Sequence, residues 1–354
     1  MNKRLIMLVL PAITTLAVSA QRIIATTPVV DCGQVLFRTP VTVDYELKNS
    51  SRSAIKITDV QPGCGCTMAS FPQNTIESGT SFTVRVTYDA KQMGHFEKQI
   101  DVYNDKDNKP LMLTIKGIVV DEVINFAGDY PLTLGSLKAD RNAIEFDDVN
   151  RGERPLQKIH LLNTGSTTVQ PVVMHLPSYL KADVSPSKLA SGQSGVATIT
   201  LDSRALHDLG LTKTTVYMGA FPGDKVAENK AIDISAVLLP DFSHLSETEK
   251  TLIPSLQLSA ETLDLGSFND KPKKKGEIIL RNIGYGMLEI RRQQIFTIGI
   301  QMSLNKTRLA PGEEAKLKIT AIAKDIKRAR SKPRVLLITN DPEHAKVVIN
   351  IQVK

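Results

Sequence analysis

Two cysteines one glycine apart, Cys64 and Cys66 in "QPGCGCTMAS", are the side chains here whose type and spacing most directly offer chemistry. On an extended strand they would stand about 6.6 Å apart. That is near the upper limit for a disulfide, so joining them needs a bend. Gly65 permits one, and Pro62 with Gly63 set the pair in a turn. A ring this small removes little chain entropy, and strain makes it easier to reduce. Three other chemistries compete. The thiols can stay free or pair with Cys32, since an odd cysteine count leaves one over. With Met68, Met93 and His95 they can form a soft-metal site for copper(I). They can also exchange with other thiols. Oxidoreductases, however, usually place two residues between the cysteines and a helix N-terminus beside them.

The compartment bears on the choice. Lys3 and Arg4 precede an apolar stretch from Leu5 to Leu16, and "AVSAQ" puts the small residues Val18 and Ala20 before Gln21. This is the pattern of a secretory signal peptide cut after Ala20. The apolar run is short for a membrane span, and no later stretch is apolar enough to cross a bilayer. We therefore expect a soluble mature protein, not integral to the membrane, in the periplasm or at the cell surface. A cysteine pair persists as a disulfide there.

Other chemistry is hard to find. The six histidines are scattered. "SGQSG" lacks the spacing of a nucleophile elbow. Gly284 to Gly286 ("GYG") have no following helix to receive a dinucleotide. "NDKDNKP" reads as a hairpin turn rather than a calcium loop. No zinc pattern of four ligands is present. The expectation is a non-enzymatic protein without a cofactor.

Charge singles out the C-terminal third. Segments 25–120 and 141–240 each carry ten basic and ten acidic residues, whereas 251–354 carries nineteen basic and ten acidic. Two runs supply the excess. Lys271, Lys273, Lys274 and Lys275 stand in what reads as the first turn of a repeat. Lys327, Arg328, Arg330, Lys332 and Arg334 stand between two late strands. Such runs either solubilise a face or contact an anionic surface polymer or an acidic envelope protein. Nucleic acid is not expected, because the chain is read as exported and no aromatic residues interleave the runs for base stacking.

The elements that must hold these residues repeat. "VTVDYELKNSSRSAIKI", "PLQKIHLLNTGSTTVQP" and "KGEIILRNIGYGMLEI" each read as a strand of alternating burial ending in an Asn-centred turn. Asn49, Asn163 and Asn282 share one position, as do Gly79, Gly192 and Gly312 before a later strand. Cys32 aligns with Phe146 and Leu265, so it reads as a small buried hydrophobe. Short strands punctuated every 8–12 residues describe a small sandwich. The fold class is all-β: three tandem Ig-like β-sandwich domains with short linkers, at 23–122, 140–240 and 254–354. Cys64 and Cys66 have no counterpart in the second and third, so the scaffold does not require them. Ser246 and Glu249 suggest a capped helix in the second linker. Both linkers carry apolar residues, so a semi-rigid rod is expected.

The order "DCGQV", "LKNSS", "GCGCT", "IESGTSFTVRVTY" resembles a bacterial family of secreted Ig-like domains, domain-of-unknown-function family 1573, common in Bacteroidota. That family carries a Cys-Gly-Cys-Thr signature at the loop held here by Cys64 to Thr67. It is similar in fold to the pilus-chaperone N-terminal domain and to ciliary Hydin-type domains. The resemblance implies a fold and a compartment and brings no activity. Together these readings describe an exported binding or scaffolding protein of the cell envelope, its partner and oligomeric state unassigned. The alternative is a thiol redox or copper-handling protein acting through Cys64 and Cys66.

Overall fold

The structure is a computed structural model and describes residues 22–246, 251–329 and 331–354. The expected signal peptide falls on residues outside these. So does the linker helix expected from Ser246 and Glu249, which falls on 247–250. Residues up to Ile124 form one compact unit and Asn125–Lys354 a second.

In the first unit, alternation places Val43, Tyr45 and Leu47 on one face of their strand and Val84, Val86 and Tyr88 on the same face of its neighbour, all buried. Two four-stranded sheets result. One is ordered β1 (Ile23–Ala25), β3 (Val41–Asn49), β6 (Ser81–Tyr88), β5 (Thr67–Ser70). The other is ordered β2 (Val29–Leu36), β8 (Leu111–Val120), β7 (Gly94–Asn104), β4 (Ile57–Pro62). Among the described strands of this unit only β2 and β8 run parallel. The inward residues of both sheets merge into one core, within which the Tyr45 hydroxyl donates to the Thr114 carbonyl at 2.7 Å.

The second unit repeats this topology twice. Its first sandwich holds β9 (Leu132–Leu134), β10 (Leu137–Ala139), β11 (Ala143–Val149), β12 (Leu156–Asn163), β13 (Val172–Met174), β14 (Leu180–Ser185), β15 (Ser194–Leu201), β16 (Gly210–Gly219) and β17 (Ala231–Leu238). They lie in the orders β14-β15-β12-β10-β9 and β11-β17-β16-β13. The next holds β18 (Leu256–Leu258), β19 (Thr262–Asp264), β20 (Lys273–Asn282), β21 (Leu288–Ile295), β22 (Ile300–Leu304), β23 (Arg308–Leu309), β24 (Glu314–Ile322), a helical turn α1 (Ala323–Ile326), β25 (Arg334–Thr339) and β26 (Lys346–Gln352). These lie in the orders β18-β20-β24-β22 and β19-β26-β25-β21-β23. The parallel pair recurs as β11 with β17 and β19 with β26. The chain is thus nearly all β, in tandem Ig-like sandwiches.

The aligned asparagines do the same work in each copy. Each is fully buried. Asn49 donates through Nδ2 to the carbonyls of Ser53 and Ile76, at 2.9 and 3.0 Å. Asn163 donates to Thr167 and Leu189 at 2.8 and 2.9 Å, and Asn282 to Gly286 and Leu309 at 2.7 and 2.9 Å. Each Oδ1 accepts the amide two residues on, from Ser51, Gly165 or Gly284. The aligned glycines have φ of +76°, +75° and +79°, and each donates its N–H to the asparagine carbonyl at 2.8 Å. Only glycine adopts this left-handed backbone without cost.

Within the second unit the two sandwiches meet along a seam. Val237, Phe296, Leu336 and Ile338 form a separate apolar cluster there. Gln294 pairs with the backbone of Leu211 at both ends of its amide, accepting from N–H at 2.6 Å and donating to C=O at 2.8 Å. Arg334 pairs with Glu145, and Arg292 with Asp208 at 2.9 Å. Lys346 reaches both Asp147 and Asp148 at 2.7 Å. Burial pulls the Lys346 ammonium down, but these two carboxylates outweigh it and hold its pKa above the usual lysine value. The Arg292 pair is exposed and contributes little.

Replacing Asn282 by Ala removes the amide that holds the Gly286 and Leu309 carbonyls and the Gly284 N–H. We expect a loss of about 1–3 kcal/mol, the cost of leaving a buried polar group short of a partner. Urea unfolding of the variant against the parent measures it. A loss below about 0.5 kcal/mol would mean that the turn holds without its amide.

Candidate functional site

The cysteine loop is a crossover. Strand β4 belongs to one sheet of the first sandwich and β5 to the other, and Gly63–Cys66 bridge them. Both ends are tied down: Gly63 N–H donates to Gln99 C=O at 2.9 Å, and Asp89 N–H donates to Cys66 C=O at 3.0 Å. Cys64 and Cys66 form a disulfide with Cα atoms 5.3 Å apart. The bend that the spacing demands is a turn, in which Thr67 N–H reaches Cys64 C=O at 3.3 Å. It does not draw on glycine's freedom as the sequence reading supposed. Gly65 lies outside the left-handed region, and a Cβ there would meet nothing within 4 Å. The Thr67 hydroxyl lies 3.5 Å from Cys64 Sγ and 3.8 Å from Cys66 Sγ, on a residue that is itself buried.

The remaining soft ligands are dispersed over the sandwich. Met68 stands exposed on β5 in one sheet, His95 on β7 in the other, and Met93 exposed just before β7. Among the described residues, no three His, Cys, Asp or Glu side chains gather as a metal would need. Cys32 is a free thiol on β2, packed against the core. Burial, and secondarily the Asp31 carboxylate, push its pKa up to about 12.

The basic runs meet at one end of the last sandwich. Lys273–Lys275 open strand β20 and do not lie in a turn; Lys271 closes one, its N–H donating to Phe268 C=O at 3.0 Å. Lys273 sits opposite Ile322 at the end of β24, and Ala323 N–H donates to Pro272 C=O at 3.0 Å. Helix α1 and the second run therefore begin beside the first. Lys271, Lys273, Lys275, Lys327, Arg328 and Lys332 are exposed, and Lys274 is half-buried. Arg330 lies outside the described residues. Arg334 departs from its run: its guanidinium is paired with Glu145 and lies 4.1 Å over the Phe296 ring, facing the neighbouring sandwich. The seam was missed in the sequence. Its one sign was "VLLIT" at Val335–Thr339, where every residue is buried although the sister strands β7 and β16 alternate. A continuous apolar run marks a strand covered on both faces.

Residues 23–119 match the profile of a protein family of unknown function, DUF1573. Residues 254–354 match that of the HYDIN/CFA65/VesB-like, Ig-like domain. A crystal structure of a protein of unknown function from Porphyromonas gingivalis W83 has the same fold at 19% identity and a TM-score of 0.51, covering 62% of this chain and 100% of that one. More distant likenesses include the PapD-like domain 7 of human CEP192, at 13% identity and a TM-score of 0.25 over 34% of this chain and 99% of that one. The E. coli chaperone DraB is another, at 13% and 0.23 over 62% and 97%. No curated protein sequence matches the chain.

The thiol assignment predicts reactivity. At pH 8, iodoacetamide should label no cysteine of the native protein, one after unfolding, and three after unfolding with reductant, counted by mass. Native labelling should rise only as pH climbs toward the Cys32 value of about 12. Rapid native labelling of two sites would mean that the pair is held reduced.

The sandwich that carries the Cys-Gly-Cys-Thr loop is thus the one that matches the DUF1573 profile, and the last sandwich matches the HYDIN/CFA65/VesB-like, Ig-like profile.

Proposed function

We propose that this is an exported, non-enzymatic binding or scaffolding protein of the cell envelope that docks on an anionic surface through its last sandwich. The supporting observation is the convergence of two basic runs, about fifty residues apart in sequence, where Pro272 C=O accepts from Ala323 N–H. Among the described residues, Lys271, Lys273, Lys275, Lys327 and Lys332 have no acidic partner, so their charge is available to a ligand. No helix among the described residues is long and apolar enough to cross a membrane. The tandem Ig-like fold is compatible with export and with a binding role. The signal-peptide pattern ending at Ala20 is the reason for placing the chain in the periplasm or at the cell surface.

Two measurements test this. Mass analysis of the chain recovered from its native cell envelope should give an N-terminus at Gln21; an intact Met1 in the cytosol would overturn the export reading. Replacing Lys271, Lys273, Lys274, Lys275, Lys327 and Lys332 by Gln should weaken retention on anionic vesicles by at least about tenfold at low salt, since each lysine near such a surface contributes about 1 kcal/mol. Retention of the parent should fall steeply as salt rises. Retention unchanged by the substitutions would reduce the runs to a solubilising face.

A further inference from the structure

We propose that the groove where the second and third sandwiches meet binds a small amphiphilic carboxylate. This goes beyond the surface contact above and stands without it. The groove encloses about 470 Å³, within the range of small-ligand sites. Both sandwiches supply its walls, so it exists only while the seam is closed.

Its charge is arranged for an anion. Lys213, Arg328 and Arg334 line it. Two of these cations are held in place. Lys213 Nζ donates to the Phe296 carbonyl, and Arg334 is fixed between Glu145 and the Phe296 ring. Arg328 is exposed and has no acidic partner among the described residues, which leaves its guanidinium fork for a ligand. A fork of this kind matches a carboxylate with two parallel hydrogen bonds. The carboxylates of the lining are already engaged: Glu145 by Arg334, and Asp233 by the Thr215 hydroxyl at 2.9 Å. The lining thus carries three cations against two carboxylates, and the charged group left open to a ligand is the Arg328 guanidinium.

The rest of the wall is apolar. Ile298 is 60% exposed, and the Phe296 ring forms the floor beside it. An aliphatic body laid along Ile298 removes that surface from water while its carboxylate reaches Arg328. Each buried methylene contributes about 0.8 kcal/mol. The volume suits one such molecule and is too small for a folded partner.

Calorimetric titration of the full mature chain with dodecanoate, below its aggregation concentration, tests the proposal. We expect one saturable site, with dodecyltrimethylammonium binding at least about tenfold more weakly, because its head carries the opposite charge and has no oxygen to accept from Arg328. Arg328→Glu and Ile298→Ser should each weaken dodecanoate by about tenfold or more. Both side chains are exposed, so the variants should melt with the parent. Absence of saturable dodecanoate binding would overturn the site. So would equal affinity for the cationic detergent, or variants that bind as well as the parent. The comparison of the two detergents needs only the parent protein, so it decides even if a variant fails to fold. The two positions are not among the lysines replaced in the vesicle experiment, which keeps the two outcomes separate.

Discussion

A primary amide buried at zero exposure has two donors and a carbonyl oxygen to satisfy, and one asparagine per sandwich meets that requirement in the same way. Its donors hold a carbonyl four residues on and another 26 or 27 residues on, and its oxygen holds the turn between them. Its own carbonyl accepts from the left-handed glycine. Aspartate has no donor to offer, and glutamine is a methylene longer, so the constraint selects one residue type. The base of the turn is fixed from below, and its apex differs between the copies. The first copy writes "SSRS" there and the third "IGYG", in which Tyr285 is 81% exposed.

That recurrence explains what could be read from the sequence. Alternation at Val43, Tyr45 and Leu47 is a local property of a strand with one wet face, so it survives in the string of letters. So does the asparagine–glycine spacing, because it recurs. The position of Cys32 followed from the same alignment: it lies between Val30 and Val35 as Phe146 lies between Ile144 and Val149. Pairings without periodicity left no trace. Glu145 and Arg334 are 189 residues apart, and Gln294 reads as an ordinary polar strand residue until Leu211 is placed beside it. The excess of positive charge was visible, but part of it serves a different end. Arg292, Arg334 and Lys346 are turned toward Asp208, Glu145, Asp147 and Asp148 of the neighbouring sandwich.

The thiols are segregated by environment. A disulfide that closes so small a ring adds little to global stability, and the sister sandwiches close the same topology without one. Its effect is local, between two backbone ties that already fix where the chain changes sheet. The odd thiol is kept out of exchange by a different route. Exchange requires thiolate, and with its pKa pushed to about 12 Cys32 supplies almost none at neutral pH. The folded-state value lies above the ordinary one, so this burial favours folding below pH 9 and that contribution fades as pH rises toward 12. In an oxidising space the arrangement keeps a chain with three cysteines from scrambling.

The last sandwich carries two surfaces that do not compete, and the strand pleat is the reason. Along β25, Val335 and Leu337 face its own core while Leu336 and Ile338 face the seam. The outer side of β25, at Leu336 and Ile338, is thereby given to the neighbouring sandwich. The lysines open β20 in the opposite sheet, where nothing of the second sandwich reaches them through an ion pair among the described residues. Arg334 marks the border. It ends the second basic run and begins β25, so the residue before it in the run can face solvent while its own side chain is drawn over Phe296. One stretch of sequence thus serves both surfaces, with the start of a strand deciding which residue goes to which.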